Sequence, residues 1–335
     1  MRFAPCSSRR LMRTAAVVIA ALPSISTACW SDAERLYGVS SHLLYAVARA
    51  DFTKALQIDS GFAPAYNGRC ATLTLKGDYD AAIADCSKAI ELNPRLAEAH
   101  AALGLVQTFW EWDWAAADRS FQQALALNAG NAEIHQYYSQ HLSAAGRFAE
   151  AIAEARRALE MDPLSPRLSG QYARVLYLAR RSDDAIAQHR KTLALDPNDY
   201  WAWFFMGIAY ESKGLHREAI DAIAKSQEIQ GYKPLAAALR EGYLRAGYEG
   251  ALLAWVANWE EGARQGRQVQ WVSVAMLHAR LGDREKALAA LEKAYQERSR
   301  ALAYIGVEPQ LDALRSEPRF QEMARAVAGG RTPAL

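Results

Sequence analysis

The chain has 335 residues, 51% of them apolar, and a formal net charge of +2. That length gives room for about two domains and a sizeable core. The first 28 residues hold Arg2, Arg9, Arg10 and Arg13 and no acid, so the remainder carries −2, which excludes the basic footprint that nucleic-acid binding demands.

In chain order, the first element is a leader pattern. Basic residues up to Arg13 precede the apolar run "TAAVVIAAL" (14–22), and "PSISTAC" follows, with Ser26 and Ala28 at the small positions before a cut. The run is too short to span a bilayer as a helix, so no integral membrane span is expected from it. The pattern predicts removal of residues 1–28 and export, periplasmic or envelope-associated. A lipid anchor on Cys29 is the alternative, although that signal usually has leucine three residues before the cysteine and Ser26 stands there. A cytoplasmic regulator is the reading if the leader is none.

The next stretch, "CWSDAERLYGVSSHLLYAVARADF" (29–52), resembles the start of a lytic transglycosylase domain, in which a catalytic glutamate followed by serine comes after "LLYAVAR". Asp51 and Phe52 stand at those two places. The resemblance implies wall-cleaving chemistry, here routed through Asp51 or lost.

From there a period takes over. "DYDAAIADCSKAIELNP" (78–94), "RFAEAIAEARRALEMDP" (147–163) and "RSDDAIAQHRKTLALDP" (181–197) share alanine, core positions four and seven residues later, and proline twelve later. The series of such alanines is Ala48, Ala82, Ala117, Ala151, Ala185, Ala219, Ala251 and Ala287, in steps of 34, 35, 34, 34, 34, 32 and 36. Apolar residues fall at helical spacing in each half. Gly77, Gly146, Gly214, Gly247 and Gly282 end the first helix of most pairs, and Pro94, Pro163 and Pro197 close second helices. On these residues the chain resembles the tetratricopeptide repeat (TPR) family over roughly residues 30–300, with Trp203, Met206, Gly207 and Tyr210 matching the first-helix pattern fully. The resemblance implies an all-α TPR solenoid, a superhelix of antiparallel helix pairs, with about seven to eight repeats over 29–300. Ala48, Phe52 and Ala55 then become core positions of the first repeat's second helix, and Phe52 is the residue that such a helix wants.

Residues 301–335 differ in composition and predict a C-terminal cap and tail with a short capping helix, as a solenoid end requires. Together with the "FWEWDW" insertion (109–114), this segment resembles the TPR tails of some bacterial signalling proteins.

The family register also assigns candidate residues. Its concave groove would include Gln136, Gln140, Arg174, Tyr177, Trp201, Phe204 and Ile208, a strip of amides and aromatics with one cation, suited to a peptide interface. Phe204 and Trp201 read equally as core between repeats. The lysine and asparagine set with which some TPRs clamp a peptide C-terminus is absent. The three tryptophans of "FWEWDW" form either an aromatic ligand platform or packing between neighbouring repeats. Cys70 and Cys86 face one another by register and read as a disulfide in an oxidising compartment or as two core thiols. The histidines are scattered, with His135 and His141 six apart, and no cysteine spacing suits a metal; neither a metal nor a cofactor is expected. The expected function is a non-catalytic scaffold that binds a peptide or helix of a partner protein, with a peptidoglycan-acting enzyme or its remnant as the alternative.

Overall fold

The computed structural model describes residues 41–329, with side chains from Ala46 onward. The expected leader, Cys29 and the last six residues of the tail lie outside the described residues. Within them the fold is all-α, in the order α1 (Ser41–Ile58), α2 (Ala63–Lys76), α3 (Tyr79–Leu92), α4 (Ala97–Val106), a π-helical turn (Gln107–Glu111), α5 (Trp114–Leu127), α6 (Ala132–Ala144), α7 (Phe148–Met161), α8 (Pro166–Leu178), α9 (Ser182–Leu195), α10 (Tyr200–Glu211), α11 (His216–Ile229), α12 (Lys233–Arg264), α13 (Trp271–Arg280), α14 (Arg284–Gln296), two 3₁₀ turns (Arg300–Tyr304 and Pro309–Leu314) and α15 (Pro318–Ala328). No strand occurs among the described residues.

The repeating alanine explains why these helices pair. At each second-helix position it lies at the bottom of a helix crossing, where only a methyl group fits. Ala82, Ala117, Ala151, Ala185, Ala219, Ala251 and Ala287 are fully buried, and Ala48 is 6% exposed. Uneven steps in the series have local causes. The 35-residue step contains the π-helical turn, the usual way a helix absorbs one inserted residue. The 32-residue step contains α12, in which two antiparallel halves meet at Ala246 and Gly247 with almost no loop. Gly242 and Gly250 touch across that hairpin: a Cβ on Gly242 would sit 2.4 Å from the Gly250 carbonyl oxygen, so neither position accepts a side chain. The five turn glycines named above all take positive φ, from 65° to 83°. The α8–α9 turn breaks the series, with Arg180 adopting φ 64° where its neighbours have glycine.

The chain divides into two compact units. The first holds α1–α4 and most of α5. Its core begins with Phe52, whose ring fills the space where a Cβ on Gly68 would lie. Asp51, beside it, is half-buried and 3.8 Å from Lys54. Cys70 on α2 and Cys86 on α3 lie with Cα atoms 5.4 Å apart and are joined as a disulfide, next to a bidentate pair between Arg69 and Asp85 at 2.6 and 2.7 Å.

The second unit holds residues 107–115 and everything from Gly130. In it the first helices of successive pairs, α6, α8 and α10, lie side by side and form one face. The capping helix α15 packs on α14 by burying Phe320, Met323 and Val327, with Arg319 paired to Glu285 and Glu292 at 2.9 and 2.8 Å. The segment between α14 and α15 does more than cap. Its two 3₁₀ turns fold back over the first-helix face, burying Leu302, Leu311 and Leu314 completely.

Candidate binding surface

The returning segment divides the first-helix face of the second unit into a covered half and an open half. The covered half is built from the C-terminal ends of α8, α10 and α13. Tyr177 donates to Glu308 Oε1 at 2.7 Å, Arg180 pairs with Asp312, and Arg280 pairs with Glu211 at 2.6 Å. Gln310 donates to the same Glu211 oxygen at 3.4 Å. Burial pushes the Glu308 carboxyl above the ordinary carboxylate range, opposed by its hydrogen bond from Tyr177. Burial and the neighbouring Glu308 together hold the Tyr177 phenol well above its usual value.

This arrangement corrects the expected groove. Tyr177 is 2% exposed because Glu308 and the 3₁₀ turns sit on it, and Ile208 is 3% exposed in the core. Gln136 is 5% exposed, with its side-chain oxygen accepting from Arg167. None of the three presents a free surface.

The open half is formed by the N-terminal part of α10 and the neighbouring stretches of α8 and α6, and these carry the other four expected residues. Asp199 caps α10 by accepting from the Ala202 amide at 3.0 Å, and this fixes where the "YWAWFF" run starts. Trp201 projects from the first turn and is 54% exposed. It stacks on Phe205 with centroids 5.7 Å apart and meets Phe204 edge-on at 6.1 Å. Phe204 is half-buried and packs edge-on against Trp255 of α12 at 6.1 Å. Arg174 lies between the Phe205 and Tyr304 rings at 5.2 and 4.6 Å, so it marks the seam between covered and open halves. Gln140 is half-buried at the α6 side. Beneath Phe205 lies His189, stacked at 6.4 Å. Neither of its ring nitrogens has a partner, and burial lowers its pKa to about 3.

Three contributors to this surface escape a register-based reading. Arg167 and Gln171 precede Arg174 by seven and three residues and share its face of α8; that spacing was open to inspection. Phe205 was hidden because the register assigns only one phenylalanine of the pair to the groove.

The aromatic insertion packs, in part between neighbouring repeats, where Trp114 meets His141 of α6 at 5.9 Å, and in part against the C-terminal segment. Trp112 is fully buried and stacks on Tyr295 at 5.9 Å; Phe109 meets Tyr304 at 5.7 Å; Arg298 lies 4.3 Å over Trp110 and donates to its carbonyl at 2.7 Å. Trp114 donates to the Val327 carbonyl of α15 at 2.9 Å. The insertion is thus the seat of the returning C-terminal segment, a partner about 190 residues away that no local pattern announces.

Models of the tetratricopeptide repeat match residues 63–96, 112–175, 142–188, 171–234 and 271–299. The chain belongs to the tetratricopeptide repeat family. Among curated proteins it is similar to the bovine (Bos taurus) protein SGT1 homolog, 34% identical over 87 residues, which is 26% of this chain; the chain spans a quarter of that relative's length. Among solved structures it is similar to yeast Tom70, at 16% identity and TM-score 0.50, over 84% of this chain and 62% of that one. It is also similar to the APC/C hetero-tetramer Cut9–Hcn1, at 17% identity and TM-score 0.51, over 66% and 46% of the two chains. At such identities these structures speak for the fold alone. TPR chains of this kind are protein–protein interaction scaffolds. No helix among the described residues of this TPR chain is long and apolar enough to cross a membrane.

Proposed function

We propose that this TPR chain is a non-catalytic scaffold that takes a peptide or helix segment of another protein on the open half of the second unit's first-helix face. One observation carries the reading. On a face whose other half is covered by the chain's own C-terminal segment, Trp201 remains 54% exposed beside half-buried Phe204, Phe205 and Arg174. Solvated aromatic side chains clustered with an arginine have the composition of a binding hot spot. Gln140 and Gln171 supply a polar rim that can bond a backbone in either direction.

The test is affinity capture from cells that make the protein, comparing wild type with a Trp201→Ala/Gln140→Ala variant and a Leu244→Ala control. Leu244 is 85% exposed on α12. A partner retained by wild type and control but lost by the double variant supports the reading. A partner lost only by Leu244→Ala moves the site to α12.

We also propose that the chain is exported. The leader pattern supports this, and so does the Cys70–Cys86 bridge, since disulfides persist in oxidising compartments. Cell fractionation with mass determination of the N-terminus tests it. An intact N-terminus in the cytosol would contradict it.

A further inference from the structure

The crossing inside a helix pair takes the same form at two places in this chain. Four residues after the repeating alanine the second helix carries a large apolar residue, and the first helix meets it with glycine. Phe121 follows Ala117, and a Cβ on Gly104 would sit 2.8 Å from its ring. Ile223 follows Ala219, and a Cβ on Gly207 would sit 2.6 Å from its Cγ1. The α2–α3 pair departs from this form. Cys86 stands four residues after Ala82, and Cys70 stands twelve before it, the place that Gly207 holds before Ala219. A disulfide joins the two cysteines. Here a covalent bond stands where those two pairs have apolar contact.

The first unit has little else to close it. Among its described side chains the large apolar ones that are buried are Phe52, Leu56, Leu73, Val106 and Phe121; the other buried apolar residues are alanines and the two cysteines. None of the large ones comes from α3, whose buried residues are Ala82, Asp85, Cys86 and Ala89. By contrast, α11 buries Ile220 and Ile223. The Arg69–Asp85 pair also joins α2 to α3, but the Arg69 side chain is 22% exposed, and a pair that water screens holds two helices weakly.

We propose that the first unit is a redox-dependent module, closed while Cys70 and Cys86 are bonded and opened by a dithiol reductant, with the second unit staying folded. In the exchange a thiolate of the reductant attacks one sulfur, the S–S bond breaks, and the other cysteine leaves and takes a proton. The reductant's second thiol then displaces the first cysteine. Two electrons pass, the chain gains two thiols, and the reductant becomes a disulfide. Both cysteines are fully buried, so a reductant reaches them only after α2 and α3 part. Once reduced, the crossing holds two separate side chains where the other pairs need glycine opposite the large residue. The bridge spans 16 residues, and losing a cross-link over a loop of this size shifts the balance toward the open form by roughly a hundredfold. No other cysteine lies among the described residues, so the device is confined to the first unit. It stands independently of where on the second unit a partner binds.

The experiment is amide hydrogen exchange read by mass spectrometry on the full chain, oxidised and after incubation with dithiothreitol. Peptides from α2–α4 should lose protection by roughly a hundredfold on reduction, while those from α6–α15 should change by no more than about twofold. Reduction should be slow in buffer and quicken with added urea, because opening precedes attack. Cys70→Ser/Cys86→Ser should match the reduced wild type. Cys70→Gly/Cys86→Ile installs the α10–α11 crossing in place of the bridge and should make protection of α2–α4 indifferent to dithiothreitol. A first unit equally protected without the bridge, in the reduced wild type or the serine variant, overturns the proposal. So does a loss spread equally over both units, or a loss on adding dithiothreitol that Cys70→Gly/Cys86→Ile shows as well.

Discussion

The two halves of the second unit's first-helix face use similar residues to opposite ends. On the covered half, Arg280 and Arg180 meet Glu211 and Asp312, and Tyr177 meets Glu308, so charge and hydroxyl are satisfied from within. On the open half, Arg167 and Arg174 meet an amide and two rings, and Trp201 meets solvent. The repeat supplies the same frame to both. What separates them is the segment from Ser299 to Arg315, which brings its own acids to one half and stops short of the other. A polar or aromatic residue on a repeat face is thus no sign of a binding site until the rest of the chain has been placed.

The largest expected effect probes the covered half. Arg280→Ala strands Glu211 without its cation in a buried position and should cost about 3–5 kcal/mol, read as a shifted midpoint in urea unfolding. A cost near zero would mean that water reaches this pair and that the half is not sealed. Tyr177→Phe removes one donor from Glu308 and should cost about 1–3 kcal/mol. Because the Glu308 carboxyl is already raised by burial, it favours its protonated form in the folded chain. Stability from this group is full below the ordinary carboxylate pKa and falls as pH rises through the higher folded value. Glu308→Gln should remove that dependence, measured as melting temperature against pH from acid to neutral.

His189, under the open half, has the opposite sign. Its folded pKa, about 3, lies below the unfolded value near 6.5, so its neutral form supports the fold above pH 6.5 and stability is lost as pH falls toward 3. His189→Phe keeps the stack on Phe205 and should flatten the acid limb of the melting profile. An unchanged limb would place the acid sensitivity elsewhere. The smallest stability effect is expected where binding matters most: Trp201→Ala should change unfolding free energy by no more than about 0.5 kcal/mol. A larger loss would show that this ring belongs to the core.

Much of this architecture is legible in the sequence. The alanine period places every helix pair, because a methyl group at a helix crossing leaves no other choice of residue, and the irregular steps even mark the π-helical turn and the short hairpin of α12. Arg174, Gln140, Trp201 and Phe204 occupy register positions that the structure leaves at least partly exposed. Tyr177, Ile208 and Gln136 occupy equally good register positions and are buried. For Tyr177 the reason lies in a segment more than a hundred residues away, whose 3₁₀ turns carry no period. The tryptophans of the insertion read from the sequence as a ligand platform or as packing, and their partners Tyr295, Arg298 and Tyr304 are recognisable only once the chain has returned to them. Periodicity reports contacts between neighbouring repeats, and it is silent on contacts that join distant ones.

The central claim, that the open half receives the partner, is tested most directly by placing a photo-cross-linking residue at position 201, and in separate proteins at 244 and 312, in the full chain within its native cells. The account predicts a partner adduct from position 201 and none from 244 or 312. Adducts from 244 or 312 with none from 201 would contradict it.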